Sequence, residues 1–350
     1  MNTSALITLE NNMSSIAIDL NGGAITDFHL KEHNINPLSF AFSKEQMPEN
    51  NKNGAPYQGH FLCLGRWGEP SAGEIKAGMP NHGQIANVLW TAEENNLPDL
   101  LRMKAVAPLE GLQVERTIIL DKNNAVHAVK EVVKNINPLG RLYNMVQHPT
   151  LAAPFLDNDI IIDCNASAGF DQAFYKDALN NVLQWPIAKD ENKNKFDLRN
   201  LSVPYNAVFS FTVKQDCEYG WVTAYSLKHH LLLGYIWKRK DYPWVHLWQH
   251  WEADKIKYRG IEFGTAGIHQ QFKEILDTAT SLFGENTFAY IDAGESVTKQ
   301  YFSFLHYTEP DFAGVEDITI VNDTIQIKTK AAGADINFKL TPELFHELSK

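Results

Sequence analysis

Short runs of β-branched and aromatic residues follow one another along this chain of 350 residues, with almost no helical pattern between them. Several runs alternate apolar and polar residues with a period of two, which is typical of half-buried strands. Such a series argues against a parallel α/β sheet and favours a large antiparallel sandwich. The sequence therefore predicts an all-β fold. The predicted strands are Ser15–Leu20, Gln113–Leu120, Ala125–Val133, Ala207–Val213, Trp221–Ser226, His230–Trp237, Trp244–Glu252, Thr287–Ile291, Thr298–Leu305, Ile318–Val321, Thr324–Thr329 and Asp335–Leu340.

Helical periodicity is found in only two places, Gln270–Thr278 and Pro342–Leu348. The polar stretch Ala188–Asn200 is interpreted as a long surface loop, and no internal repeat or interdomain linker is visible. We therefore expect a single domain that spans residues 1–350.

The charge balance excludes several classes of partner. Thirty-one basic against 42 acidic residues give a formal net charge of −11, whereas nucleic acids and anionic membrane surfaces require a basic footprint. No run approaches the roughly 18 apolar residues of a membrane span, and the first residues show no signal peptide. The three cysteines are odd in number and match neither a disulfide framework nor a zinc site. We expect a cytoplasmic protein with reduced thiols, either a monomer or a homodimer.

The densest candidate for chemistry is the segment Gly59–Trp90, in which a predicted strand leads to Gly78-Met79-Pro80-Asn81-His82-Gly83. Glycine and proline on both sides constrain the backbone around His82, and polar groups on loops above a β-scaffold commonly build sites. The alternative is a turn residue whose imidazole has a structural hydrogen bond.

A second histidine stands at the end of a predicted strand, in Gln147-His148-Pro149-Thr150. The following proline favours an extended backbone at His148. A histidine held in this way suits a proton donor, because imidazole titrates near neutral pH. A half-buried histidine bonded to a carbonyl group explains the pattern equally well.

The third candidate segment is Tyr242–Thr265. In a strand, residues 244, 246, 248, 250 and 252 share one face, which holds tryptophans, histidines and a glutamate. Aromatic platforms beside carboxylates and imidazoles suit a pyranose, although an aromatic stripe is more commonly a core. The next strand carries Glu262 among small and apolar residues, where burial would raise its pKa toward that of a useful general base. The alternative is a glutamate on a solvent-facing strand edge.

Other kinds of site have little support in the sequence. There is no Walker-type phosphate loop, no dinucleotide fingerprint, no HExxH helix and no nucleophile elbow. His229-His230 and the pair at 246 and 250 lack clear ligand spacing, so no metal and no cofactor is expected.

Taken in order, these segments resemble the galactose mutarotase-like superfamily, which includes the aldose 1-epimerases. The resemblance spans roughly residues 10 to 308. It implies an antiparallel β-supersandwich with few short helices and a groove that binds a small-molecule carbohydrate. Residues 316–350 have no counterpart in it and are expected to add a hairpin and a short helix. The similar features are Leu20-Asn21-Gly22-Gly23-Ala24-Ile25, Gly78-Met79-Pro80-Asn81-His82-Gly83 with Asn87 and Trp90, Gln147-His148-Pro149, and Ile261-Glu262-Phe263-Gly264-Thr265.

The resemblance also implies roles for individual residues. Glu262 would be the general base that takes the proton of the anomeric hydroxyl, and His148 the general acid that protonates the ring oxygen. His82 would bind the sugar near that oxygen. Ring opening, rotation and closure would then interconvert the anomers with no cofactor. The other residues expected to bind substrate are Arg66, Asn81, His246, Trp248 and Tyr258.

Three departures from the family pattern keep other functions open. Phe263 stands where many mutarotases have proline, Thr150 where an aromatic residue is common, and Gln84-Ile85-Ala86 replaces a segment with an arginine. The missing arginine argues against a phosphorylated sugar. A mutarotase-like isomerase is the leading hypothesis. The alternatives are a non-catalytic carbohydrate-binding protein and a lyase or isomerase of an acidic sugar that uses Arg66 and Tyr258.

Overall fold

A computed structural model describes residues 6–94, 97–330 and 335–349. Part of the expected C-terminal addition, residues 331–334 and 350, lies outside the described residues. In chain order the strands are β1 Leu6–Glu10, β2 Ser14–Asp19, β3 Ala24–Leu30, β4 His60–Gly65, β5 Thr91–Ala92, β6 Leu100–Ala107, β7 Leu112–Leu120, β8 Val126–Asn135, β9 Arg141–Leu151, β10 Ile161–Cys164, β11 Ala166–Asp171, β12 Leu183–Gln184, β13 Ile187–Lys189, β14 Lys195–Asp197, β15 Ala207–Val213, β16 Tyr219–Ser226, β17 Leu231–Lys238, β18 Trp244–Glu252, β19 Lys255–Gly264, β20 Ser281–Leu282, β21 Glu285–Asn286, β22 Ala289–Ile291, β23 Ser296–Tyr307, β24 Val315–Val321, β25 Thr324–Thr329 and β26 Ile336–Lys339.

The helices are short. Both helices predicted from periodicity are present, at Phe272–Thr278 and Pro342–Ser349, and the first helix of the chain has Ser71 as its N-cap residue, in a capping box with Glu74. The α-helices are α1 Ala72–Lys76, α2 Phe272–Thr278 and α3 Pro342–Ser349, and the 3-10 turns are Glu49–Asn51, Ile85–Asn87 and Gln172–Asp177.

Two large sheets form the body of the molecule. The first has the order β1-β2-β3-β4-β9-β19-β18-β15-β11-β12-β13-β14, with β22 also paired to β9, and the second has the order β10-β16-β17-β23-β8-β7-β6-β5. The central pairs β4·β9, β9·β19, β19·β18 and β18·β15 are all antiparallel. The expected all-β antiparallel sandwich is confirmed.

The main core fills the space between the two sheets. Alternate residues of the central strands enter it, among them Met145 of β9, Leu247 of β18 and Phe263 of β19, each fully buried. Because successive side chains of a strand point to opposite faces, their neighbours point away from this core. The alternation therefore places a second row of side chains, including His148 and Glu262, on the other face of the first sheet.

One predicted loop proved wrong in part. Residues 188–200 contain the end of β13 and the whole of β14, which pair as a hairpin at the edge of the first sheet. Buried Ala188 and Phe196, paired across the hairpin, join the main core. The charged residues of this stretch outnumber its three core residues, Ala188, Phe196 and Leu198, so its sequence looked like that of a surface loop.

The C-terminal residues form the expected hairpin, β24 and β25, with β26 paired to it, and the expected helix, α3. β24, β25 and β26 make a separate sheet, and α3 follows it. Their apolar side chains, such as Ile325 and Leu344, pack with Trp221 and Phe304 of the second sheet. This addition therefore covers the face of the second sheet that points away from the main core.

Replacing Ile325 with valine tests this packing. Ile325 is fully buried in β25, and the loss of one buried methyl group typically costs about 0.5–1.5 kcal/mol. We expect the free energy of unfolding, measured by urea denaturation, to fall by that amount. Val321→Ala is the control, because that side chain lies 45% exposed on β24, and equal effects of the two substitutions would contradict the packing.

A buried histidine predicts how the fold responds to acid. His127 of β8 is fully buried, and neither of its ring nitrogens has a partner among the described residues. Burial lowers the pKa of its imidazole to about 3. Since the unfolded chain protonates this group near pH 6.5, the unfolded state binds more protons below that pH. The contribution of neutral His127 to the free energy of unfolding is therefore lost as pH falls from about 6.5 towards 3.

We accordingly expect His127→Leu to make the protein less sensitive to acid. The slope of unfolding free energy against pH should decrease by up to about 1.4 kcal/mol per pH unit between pH 6 and 4. Urea denaturation across this range measures it. His346→Gln, at an exposed position of α3, is the control, and an unchanged slope in His127→Leu would refute the prediction.

Candidate functional site

The three sequence segments meet on the outward face of the first sheet. His148 of β9 lies directly opposite Phe61 of β4, and Glu262 of β19 lies directly opposite His246 of β18. β9 and β19 are themselves neighbours. Antiparallel pairing thus brings His148 and Glu262, which are more than a hundred positions apart in the sequence, into side-chain contact.

His148 and Glu262 form a buried pair. Nε2 of His148 lies 3.2 Å from Oε1 of Glu262, and the two side chains are only 8% and 2% exposed. The indole N–H of Trp67 donates to the other carboxyl oxygen, Oε2, at 3.2 Å. Phe61 stacks on the His148 ring with centroids 4.3 Å apart. The pair is therefore held in place from two sides and shielded from water.

Burial favours the neutral form of both partners. It raises the pKa of Glu262 well above its ordinary value, although the hydrogen bond from Trp67 opposes the rise. It also lowers the pKa of His148 to about 3. Desolvation penalises whichever form is charged, so it moves an acid and a base in opposite directions.

The contact between Nδ1 of His148 and Thr150 shows which tautomer His148 adopts. Its Nδ1 lies 3.0 Å from the hydroxyl oxygen of Thr150, and that hydroxyl donates to the carbonyl oxygen of His148 at 3.5 Å. The hydroxyl oxygen then accepts from Nδ1–H, which leaves Nε2 as an acceptor. In the form that burial favours, the proton of the pair is therefore on Glu262, whose Oε1 lies 3.2 Å from that nitrogen.

His82 stands beside this pair on a strained turn. Its backbone has φ +58°, in the left-handed region that non-glycine residues seldom adopt. Its N–H donates to the carbonyl oxygen of Gly68 at 3.0 Å, and the Gly68 N–H donates back to Nδ1 at 3.2 Å. The neutral ring therefore carries its proton on Nε2. Burial lowers the pKa of His82 well below its ordinary value, and its ring centre lies 5.5 Å from that of His148.

These groups line a cavity of about 160 Å³. Pockets for drug-sized ligands measure about 300–1,000 Å³, so this cavity suits a ligand smaller than these. No cluster of three or more metal-ligating side chains occurs among the described residues. The lining residues are Phe40, Phe42, Pro48, Tyr57, Phe61, Trp67, His82, His148, Val208, Trp248, Glu262 and His269.

Four of the residues predicted to form the site line this cavity, and four do not. Glu262, His148, His82 and Trp248 line it. Arg66 is absent from the described lining because both of its terminal nitrogens bind the Glu74 carboxylate, at 2.7 and 3.0 Å.

The remaining three predicted residues lie just behind the wall. The backbone oxygen of Asn81 accepts from the Tyr57 hydroxyl at 2.7 Å. The His246 ring packs 4.0 Å from that of Trp67, and the Tyr258 ring lies 6.0 Å from that of Trp248 at an angle of 30°. All three support lining residues, and their predicted contact with a sugar stays a prediction.

Sequence reasoning missed several lining residues. Trp67, which donates a hydrogen bond to Glu262, comes directly after Arg66. Phe61 lies on β4, six residues before Trp67. β4 is buried at every position and shows no apolar–polar alternation, so its sequence alone does not assign Phe61 to either face. His269 lies beyond β19, with its backbone N–H bound to the Gln172 side chain at 2.9 Å, and nothing in the local sequence indicates this position.

No helix in the described ranges is long and apolar enough to cross a membrane. No protein-family model matches the chain, and no curated protein matches it significantly.

Several solved structures superpose on most of this chain. A galactose mutarotase related enzyme from Lactobacillus acidophilus superposes with a TM-score of 0.61 at 15% identity, covering 87% of this chain and 98% of that one. A protein from Synechocystis gives 0.60 at 14% identity, with 87% and 97% covered. A galactose mutarotase-like protein from Clostridium acetobutylicum gives 0.56 at 13% identity, with 87% and 95% covered. At such low identity the likeness concerns the fold, and the chain therefore has the galactose mutarotase-like fold.

Proposed function

We propose that this protein interconverts the anomers of an aldose by acid–base ring opening, in the manner of an aldose 1-epimerase. The observation that carries the proposal is the contact between His148 and Glu262, a buried acid–base pair 3.2 Å apart, beside the Nε2–H of His82. Paired groups with opposed pKa shifts are typical of acid–base catalysis. The similarity to a galactose mutarotase related enzyme supports the choice of reaction.

The chemistry requires the proton of Glu262 to move to His148. In the ion-paired form, Glu262 as carboxylate accepts the proton of the anomeric hydroxyl while His148 as imidazolium donates to the ring oxygen. The bond between the anomeric carbon and the ring oxygen breaks, and an aldehyde forms. The pair returns to its neutral form, with the carboxyl protonated and His148 neutral, which is the form that burial favours. Rotation of the aldehyde and the reverse transfers close the ring as the other anomer.

Other groups assist the pair without exchanging protons. The Trp67 N–H stabilises the Glu262 carboxylate when it is charged. The Nε2–H of His82 is placed to donate to an oxygen of the sugar, and Trp248 provides an aromatic face for its C–H groups. No step requires a cofactor, because each step moves a proton within one substrate.

Freshly dissolved single anomers test the proposal. Polarimetry or proton NMR should show faster mutarotation with the protein than in buffer alone, across a panel of pentoses and hexoses. The matched control is protein denatured by heat at the same concentration. Rates equal to those in buffer for every sugar would refute catalysis.

One observation favours a second candidate, a non-catalytic carbohydrate-binding protein. The proposed acid and base touch each other at 3.2 Å in the cavity, and a binder could retain such a neutral pair simply to satisfy two buried groups. A lyase of an acidic sugar lacks comparable support, because Arg66 is engaged with Glu74.

We also propose that the protein works in a reducing compartment such as the cytoplasm. The three cysteines are free, and Cys63 and Cys164 are buried. Free buried thiols are typical of such compartments.

A further inference from the structure

We infer that the cavity selects an uncharged monosaccharide whose C5 carries only hydrogen or a methyl group, that is, a pentose or a 6-deoxyhexose. Hexoses, hexuronates and sugar phosphates would be poorer ligands. The inference rests on the proposed function insofar as that function places a sugar in this cavity, and it concerns binding as well as turnover.

Few polar groups of the cavity are free to bind a sugar. The Tyr57 hydroxyl donates to the Asn81 carbonyl oxygen and accepts from the Asn51 amide, and the Trp67 N–H is committed to Glu262. In the described lining, the groups left for a sugar are Glu262, the imidazoles of His82, His148 and His269, and the indole N–H of Trp248. A hexopyranose brings five hydroxyls and a ring oxygen, one oxygen more than these five side chains, whereas a pentopyranose or a 6-deoxyhexopyranose brings four hydroxyls and a ring oxygen.

One wall of the cavity is apolar. Phe40, Phe42, Pro48 and Val208 line the cavity together, and none of these side chains has a hydrogen-bonding atom. Phe40 and Phe42 pack edge to face with Trp248 at 6.1 and 6.5 Å. Val208 lies directly opposite Trp248 in the pairing of β15 with β18. A methyl group or ring hydrogen fits such a wall, whereas a hydroxymethyl group would lose its hydrogen bonds to water.

Charge also restricts which sugars fit the cavity. The described lining contains no lysine or arginine. Arg66 is 3% exposed and held by Glu74. A phosphate or carboxylate on the sugar would therefore enter an apolar space without a counter-charge and close to Glu262, where burying a charge is strongly unfavourable.

Matched sugars measure the selectivity directly. D-Galactose is compared with 6-deoxy-D-galactose, L-arabinose and D-galacturonate, and D-glucose with 6-deoxy-D-glucose, D-xylose and D-glucose 6-phosphate. For each sugar, kcat/KM is measured by NMR after subtracting the buffer rate, and Kd by ligand-observed NMR. An unpaired buried hydroxyl corresponds to a factor of roughly 5 to 150, so we expect a preference of at least about fivefold for the sugars without the hydroxyl. The charged sugars should show no binding.

Two readouts separate this inference from the proposed function. A preference in Kd without any turnover would support the inference and refute the epimerase. Equal kcat/KM and Kd for a hexose and its 6-deoxy form, or tighter binding of a charged sugar, would overturn the inference and leave the epimerase intact.

A single substitution tests the wall itself. Val208→Thr keeps the shape of the side chain and its preference for a strand but adds a hydroxyl. We expect the preference for 6-deoxy-D-galactose over D-galactose to fall by at least half in Kd. Val321→Thr, on a strand outside the site, should leave it unchanged. A preference in Val208→Thr equal to that of the natural protein would overturn the role of the wall.

Discussion

Glu262→Gln is expected to reduce the rate of mutarotation by about 10²–10⁴-fold, the contribution typical of a general acid–base group. Glutamine has nearly the same shape, and its amide oxygen can still accept the hydrogen bond of Trp67, which lies 3.2 Å from Oε2 of Glu262. It cannot take up or release a proton near neutral pH. The sugar should therefore still bind, with most of the loss in kcat, as measured by NMR with freshly dissolved anomers.

The control for this substitution lies in the same hairpin. Glu252→Gln changes a carboxylate at the end of β18 whose side chain is 57% exposed, and it should keep full activity. Comparable kcat values for Glu262→Gln and the natural protein would refute the proposed base. A non-catalytic binder would lose only part of its affinity in Glu262→Gln and would show no turnover to begin with.

Glu131→Leu is expected to lower the free energy of unfolding by about 3–5 kcal/mol. The Glu131 carboxylate forms an ion pair with Arg116 at 2.7 Å, and the two side chains are 1% and 3% exposed. It also accepts a hydrogen bond from the Gln147 amide. Without Glu131, the buried guanidinium would have no counter-charge, which costs far more than the pair itself contributes. Urea denaturation with linear extrapolation measures the change.

A double substitution separates the charge from the packing. Arg116→Met combined with Glu131→Leu removes both charges, so much of the lost stability should return. Glu252→Gln, which removes an exposed member of a surface pair, should be indistinguishable from the natural protein. If Glu131→Leu alone were as stable as the natural protein, the buried pair could not have the role described.

This buried pair also supports the site from behind. Gln147 precedes His148 on β9, and its side chain points to the opposite face of the strand, where its amide binds Glu131 and its oxygen lies 3.1 Å from Nε2 of His60. The polar network between the sheets thus fixes the part of β9 from which His148 projects. We infer that the network positions His148 while taking no part in proton transfer.

The sequence by itself determined most of the local structure. Period-two alternation identified strands such as β15, β18 and β25 to the residue, and helical periodicity identified α2 and α3. Alternation and turn residues are local signals, since each strand must present one apolar face to the core. The sequence did not predict the hairpin of β13 and β14, because charged residues outnumber its two inward-facing apolar residues.

Only the tertiary structure decided how the site is built. The sequence suggested Glu262, His148 and His82 separately, each with a structural alternative, but gave no sign that the first two are in contact or that Trp67 donates to the carboxyl group. It also could not show that Arg66 is bound to Glu74 or that His269 reaches the cavity. These facts depend on strand order, pairing register and burial, which join residues up to about two hundred positions apart. Burial then sets the pKa values, and no local pattern records it.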